Sequence, residues 1–445
     1  MENTGLKKQI GLFQATFLVV GIVIGSGVFF KPSAVFGNTG APGLGIAAWV
    51  AGCLLTIAGA LSISEIGAAI PKTGGLYIYL KELFGKKWAF LLGWVQVLIY
   101  YPGISAALAV VLATQSTTFI PMTDGQQKIL AVSLILFLMV VNLISTRVTA
   151  KLATVFNVAK LIPIFVIVIC GLAMGNAHSF TPFMAEKSSA GGFGAALLGV
   201  LFAYEGWVAV ANMSGELKNP TKDLPKAIVL GLSIVTIAYI GVNLAILNTM
   251  SVEQIAASKK VATDASVFLF GKVGEVLIAT GILISITGCL AGFLLASGRV
   301  PYAMAQDDLI LAKDFFAKVD DRSGTPANAV IFESVLACLY ALTGTFDTLT
   351  DLSVFVMWMF FILGIGGVFV LRRRRQDLVK PDGYKVPFYP ITPLFGICGA
   401  IFVVLNTLAT GATTALYGVA VTLLGFPVYM YIQRRSDGNT ARTAK

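Results

Sequence analysis

Residues 19–30 read VVGIVIGSGVFF, an apolar run interrupted by Gly21 and by the triplet Gly25-Ser26-Gly27. Glycine costs about 1 kcal/mol relative to alanine inside a helix, so three glycines this close let the backbone unwind and approach another group closely. A second run, GVLFAYEGWVAV at 199–210, is interrupted by Ala203-Tyr204-Glu205-Gly206. Peptide groups freed within hydrocarbon are costly unless they line a cavity enclosed by protein. Two such breaks in apolar runs therefore imply a polar species bound between them.

The setting is lipid. Of the 445 residues, 57% are hydrophobic and 12% charged, and the mean hydropathy is +0.84, outside the range of a soluble globular domain. A spanning helix needs roughly 20 apolar residues. Such windows lie near 10–36, 44–70, 88–113, 126–145, 152–174, 192–214, 227–249, 273–304, 327–344, 351–371, 392–409 and 413–432. The expectation is an all-α membrane protein of twelve transmembrane helices. Each broken helix, the first and the sixth, opens a block of five, the pattern of a 5+5 inverted-repeat transporter. The repeats would cover 1–180 and 181–375, with two peripheral helices and a tail in 376–445. The opening MENTGLKKQIGL carries no small-residue cleavage site and reads as retained.

The formal charge of +10 is explained by topology. With the N-terminus inside, 25 of the 32 lysines and arginines collect on one face, including the run Arg372 to Arg375. Lys31, Lys128, Lys187, Lys259, Lys260 and Lys272 are assigned to the other. The positive-inside rule then places both termini in the cytoplasm, and nucleic acid is not required as a partner. The five cysteines, Cys53, Cys170, Cys289, Cys338 and Cys398, are isolated in apolar windows. They suggest neither a disulfide framework nor a metal site, and no cofactor is implied.

The chemistry of the breaks follows from helix ends. Amides at Ser26, Gly27 and Val28, at the start of the second half-helix, form a seat for a carboxylate. Carbonyls of Ile22, Val23 and Ile24, with those of Phe202, Ala203 and Glu205, present acceptors to an ammonium. A zwitterion satisfies both ends. The alternative for the glycines is a small-residue face for close helix packing. Glu205, ionisable within a span, marks a gate, an ion pair or a proton carrier, or sits at a water-filled helix end. Tyr204 and Trp207 read either as lids or as packing.

One lysine is left over. Lys160 lies within LATVFNVAKLIPIFVIVI, residues 152–169, where a charged amine costs about 2.5 to 3.5 kcal/mol unless satisfied. Helix 1 carbonyls and the hydroxyls of Ser285 or Thr287 are candidate acceptors, the ammonium then replacing a sodium ion; snorkelling to the basic face is the other reading. A membrane-embedded enzyme would need paired acids, histidines or a metal cluster. Glu65 and Glu333 stand apart, and the single histidine, His178, is in a loop.

The chain resembles the L-amino acid transporter family of the amino acid, polyamine and organocation superfamily, whose fold is the LeuT fold. The resemblance runs through GIVIGSGVFFKP (21–32), IPKTGGLYIYLKELFG (70–85), NVAKLIP (157–163), LFAYEGW (201–207), GELKNPTKDLPKA (215–227) and SGRVPYAMAQDDLIL (297–311). Bacterial exchangers of the serine/threonine and alanine/serine/cysteine types are the most similar branch. By that resemblance Gly25, Ser26 and Gly27 would hold the substrate carboxylate, and Ile22 or Val23, Phe202, Ala203 and Glu205 its amine. It also implies a sodium-independent antiporter of small neutral L-amino acids in the bacterial inner membrane, with Lys160 at a sodium position, working by alternating access. The alternative within the superfamily is a proton-coupled symporter or a cationic amino acid antiporter. Animal members pair with a heavy subunit through a cysteine between helices 3 and 4; TQSTTFIPMTDGQQK, 114–128, has none. No disulfide-linked partner and a functional monomer are thus expected. Relatives often carry Asp or Ser where Glu205 stands.

Overall fold

The computed structural model describes residues 11–70, 75–144, 155–156, 160–185, 190–207, 217–320, 325–379 and 383–443. Its helices run α1 Leu12–Val23, α2 Gly27–Thr39, α3 Pro42–Ala69, α4 Gly75–Phe84, α5 Lys86–Val95, α6 Tyr101–Ser116, α7 Asp124–Ile144, α8 Leu161–Met174 and α9 Ala190–Ala203. They continue with α10 Pro220–Thr249, α11 Val252–Ala257, α12 Val261–Ser297, α13 Arg299–Gln306, α14 Lys313–Phe316, α15 Ala327–Thr343, α16 Phe346–Arg374, α17 Ile391–Thr410 and α18 Ala412–Thr443. Among the described residues there is no strand. Among the described residues, eight helical stretches are long and apolar enough to cross a membrane, or nine if α1 and α2 are counted as one bent span. Leu161–Met174, Gly191–Ala203 and Ala327–Thr343 are shorter apolar helices.

The expected break in the first span is present. The Ile24 amide donates to the Val20 carbonyl and closes α1; its ψ of 105° then leaves the helix. Phe29 and Phe30 amides return to the Ser26 carbonyl to start α2, which is bent from α1 by 54°. Other boundaries differ from the apolar windows. α12 begins at Val261, twelve residues before the expected 273, and turns at Gly271, where φ is +60°. The short helices α4 and α11 have no apolar window of spanning length, and hydropathy therefore passed over them. Residues 157–159 and 208–214, inside the fifth and sixth windows, lie outside the described residues.

Contacts divide the chain into two units. One contains residues 1–85, 162–275 and 358–410; the other contains 86–161, 276–357 and 411–445. Each draws on both expected repeats. In the first, α10 packs on α1 and α3, α9 on α2, α3 and α17, and α11 on α2. Small residues allow the close approaches: a Cβ on Gly52 would stand 2.4 Å from Val200, and one on Gly231 2.6 Å from Val19.

In the second unit α15 packs on α6 and α7, and α18 on α5. Helix 3 carries a wide turn at Gln96–Tyr100 between α5 and α6, of the kind that leaves a carbonyl to be satisfied elsewhere. Tyr340 Oη of α15 donates to the Leu98 carbonyl at 2.7 Å. Trp94 Nε1 donates to the Val421 carbonyl of α18 at 2.9 Å.

The first unit is fastened at one end by an ion pair. Arg372 at the end of α16 donates from Nε and Nη2 to the two oxygens of Glu65, at 2.7 and 2.9 Å. Glu65 is 2% exposed and also accepts from the Val386 amide at 2.6 Å. Arg372 lies over the Tyr389 ring at 3.9 Å. Removing one partner leaves a desolvated charge, at a cost of about 3 to 5 kcal/mol. Glu65→Ala is therefore expected to lower the thermal midpoint of the detergent-purified protein by several degrees, with Arg372→Met in addition recovering part of the loss.

Candidate functional site

The two breaks meet. A Cβ placed on Gly27, the first residue of α2, would lie 2.6 Å from both Cα and Cβ of Ala203, the last residue of α9. One placed on Gly206 would lie 2.8 Å from Ile22 Cγ2 and 3.4 Å from the Ile22 carbonyl oxygen. Gly206 also has φ of +106°, a region that side chains with a Cβ disfavour. Sequence chose glycine here for closeness and for backbone freedom together.

The polar groups at this junction come from the backbone. α9 ends as the Tyr204 amide donates to the Val200 carbonyl and the Glu205 amide to that of Phe202. The Tyr239 hydroxyl of α10 stands 3.1 Å from the Val23 carbonyl oxygen and 2.8 Å from that of Ala203. One carbonyl comes from each break. A phenol has one proton to donate, so these two oxygens converge on one point with acceptor capacity to spare. On the other side of the opening, the amides of Gly27 and Val28 begin a helix and have no preceding turn to bond to. Ser26 is 1% exposed, and its hydroxyl has no hydrogen-bond partner.

An aromatic wall backs this junction. The Tyr239 ring lies 5.3 Å from Trp49 and 5.2 Å from Tyr204. Tyr204 Oη bonds to the Trp49 carbonyl and to Thr236 Oγ1, at 3.3 and 3.1 Å. The Tyr204 hydroxyl thus ties the sixth-span break to α3 and α10. Trp207 is 2% exposed and faces Phe361, with ring centroids 5.4 Å apart. Ile24, Phe202 and Glu205 are buried.

Ile22, Val23, Ile24, Gly25, Ser26, Gly27, Phe202, Ala203, Tyr204, Glu205 and Trp207 all fall in the first unit. Lys160 and Ser285 belong to the second. There Lys160 is fully buried, its amide bonded to the Phe156 carbonyl. A Cβ on Gly288 would meet Phe156 Cβ at 2.6 Å. Ser285 Oγ is buried without a partner.

Two residues escaped the sequence reading. Tyr239 stands in the apolar run of the seventh span, where a tyrosine gives no signal of its own. Lys31, assigned from sequence to the sparse basic face, is fully buried in α2, its Nζ 5.6 Å from the centre of the Phe202 ring. Its position one turn after Gly27 was the available clue. Among the described residues no three His, Cys, Asp or Glu side chains are grouped to hold a metal ion. The five cysteines are unpaired.

Comparison with known proteins matches residues 10–430 to the sequence model of the amino acid permease family. The serine/threonine exchanger SteT of Bacillus subtilis is 41% identical over 435 residues, covering 98% of this chain and 99% of that protein. The human b(0,+)-type amino acid transporter 1 is 31% identical over 458 residues, covering 100% and 92%. The human large neutral amino acids transporter small subunit 2 is 31% identical over 439 residues, covering 96% and 81%.

Two substitutions test the junction. Tyr239→Phe removes the shared donor and is expected to change the KM for a transported amino acid about tenfold, equivalent to about 1.4 kcal/mol, at an unchanged amount of folded protein. Gly27→Ala forces α2 away from Ala203 and is expected to reduce transport in vesicles at least about tenfold, while membrane insertion on fractionation is unaltered.

Proposed function

Since the chain belongs to the amino acid permease family, a family of multi-pass membrane transporters, we propose that it is a sodium-independent exchanger of small neutral L-amino acids of the alanine, serine, threonine and cysteine type. The observation that carries this reading is the meeting of the breaks: two carbonyls directed at one point, and helix-initiating amides with an unpartnered serine hydroxyl beside them. Those groups complement an ammonium and a carboxylate separated by one carbon. The junction is narrow, with Gly27 against Ala203 and an aromatic wall behind, in keeping with a short side chain. Identity to a serine/threonine exchanger over almost the whole of both chains supports the substrate class.

The architecture in this proposal is the LeuT fold: twelve spans, with repeats at 1–180 and 181–375 and two further helices after them. Both termini face the cytoplasm, on the strength of the basic asymmetry. The chain works as a monomer and without a disulfide-linked subunit. In alternating access, helices 1, 2, 6 and 7 move as a body; their described parts lie in the first contact unit, together with helix 11 and most of the described parts of helices 5 and 10. Each substrate end is released as the freed backbone groups reorient, and exchange follows because the emptied junction leaves buried acceptors unsatisfied, which opposes return without a new substrate.

Lys160 supplies the fixed positive charge that a sodium ion would otherwise provide. Its complete burial supports this role. Glu205 gates the break from within. Counterflow in proteoliposomes tests the whole reading: preloaded serine, threonine, alanine or cysteine drives labelled serine uptake, at the same rate when choline replaces sodium. Uptake that needs no internal amino acid and rises with an imposed pH gradient would instead identify a proton-coupled symporter. Lys160→Ala is expected to impair exchange, or to shift the internal KM more than the external one, with insertion intact; unchanged kinetics on both faces would reject the role.

A further inference from the structure

Away from the breaks, the first unit holds a cavity of about 440 Å³ lined by Met250, Gln254, Ala257, Ser258, Asp264, Val267 and Phe268. It occupies the corner between the end of α10, the short α11 and the part of α12 that precedes the turn at Gly271. Its size is that of a small-molecule site. Its polar lining residues are Gln254, Ser258 and Asp264. Ser258 Oγ donates to Asp264 Oδ2 and accepts from the Lys260 amide, which fixes the carboxylate there. Gln254 is a further polar group in the lining, while Met250, Ala257, Val267 and Phe268 are apolar, and Val267 and Phe268 are 40% and 59% exposed. Val273, just beyond the turn, is 69% exposed.

An anionic group and uncovered apolar side chains in one recess describe an amphiphile with a positive head. The carboxylate accepts hydrogen bonds and has none to give, so a primary ammonium, with N–H donors, is held better than a quaternary one. A soluble amine would leave Val267, Phe268 and Val273 uncovered; an acyl chain covers them. The exposed Lys259, adjacent to Ser258 in sequence, offers a cation to the phosphate of such a lipid.

The cavity is connected to the transport site. α11, one of its walls, packs on α2. Ser33 Oγ donates to the Ala256 carbonyl at 3.1 Å, and Ala256 Cβ stands 3.5 Å from where a Cβ on Gly37 would be. α2 in turn begins at Gly27, against Ala203. We propose that this cavity binds a membrane lipid with a primary ammonium headgroup, its head at Asp264 and its chain along Met250, Val267 and Phe268, and that the bound lipid steadies α11 against α2 and speeds exchange. The rate effect rests on the exchange activity proposed above; the binding site does not.

The test reconstitutes the full chain in vesicles of phosphatidylethanolamine with phosphatidylglycerol, or of phosphatidylcholine with phosphatidylglycerol. Serine counterflow is expected to be about fivefold faster in the first. Asp264→Asn, and Ala257→Phe, which fills the cavity, are expected to erase the difference while keeping the rate seen in phosphatidylcholine. Equal rates for the unaltered protein in both vesicles, or an Asp264→Asn protein that keeps the preference, overturn the proposal. Acceleration by free ethanolamine in phosphatidylcholine vesicles overturns it too, by assigning the site to a soluble amine. Native mass spectrometry separates the site from the activity. Retention of phosphatidylethanolamine by the unaltered chain and its loss in both variants are expected even if no amino acid is exchanged, and equal retention by all three overturns the site.

Discussion

Backbone polar groups inside hydrocarbon must find partners within the protein, and that requirement organises the first unit. At Ile24–Ser26 and again at Tyr204–Gly206 the helical ladder stops, and carbonyls and amides are released at depth. The Tyr239 hydroxyl answers two of those carbonyls at once, one from each break. A single side chain on α10 therefore sets the distance between two helices far apart in sequence. Gly27 and Gly206 allow that distance to be short, because neither presents a Cβ to the other side.

The same constraint explains why the site is made of main chain rather than of charged side chains. A charge at this depth needs a partner on hand in every state of the cycle, whereas peptide dipoles at helix ends are held by the helices themselves. The charges that are present stay away from solvent or are firmly paired. Glu65 and Arg372 bond through two parallel contacts, with the Val386 amide taking a further lone pair. Lys31 lies against the Phe202 ring, and Lys160 is fully enclosed in the second unit.

The periphery of the first unit reaches the site by packing alone. α11 lies on α2 through Ser33 and Gly37, and α2 starts at the junction. Any ligand or lipid that fixes α11 therefore acts on the element that begins at the junction of the two breaks. This coupling needs no charge relay; it uses a helix that begins at the break and whose second half packs on α11.

Both helix breaks, nearly all the apolar spans and the family were legible in the sequence, because each is written in local composition: glycines within apolar runs, windows of spanning length, and six motifs in order. VVGIVIGSGVFF alone announced a bent span at Gly25, and the bend is there. Tyr239 was not legible, since a tyrosine in an apolar helix has no partner until the fold brings Val23 and Ala203 to it. The burial of Lys31 was not legible for a similar reason: a positive charge near a span end reads as a topology signal, and only the packing of α2 on α9 sets it against Phe202. The corner cavity depends on Gly271 turning α12, on α11 and on Asp264, none of which carries a periodic signal. Local sequence thus determined where the chain is helical and where it opens, since those follow from nearest-neighbour energetics. Tertiary structure alone decided which opened groups face each other, because that depends on contacts between residues as distant as Val23, Ala203 and Tyr239.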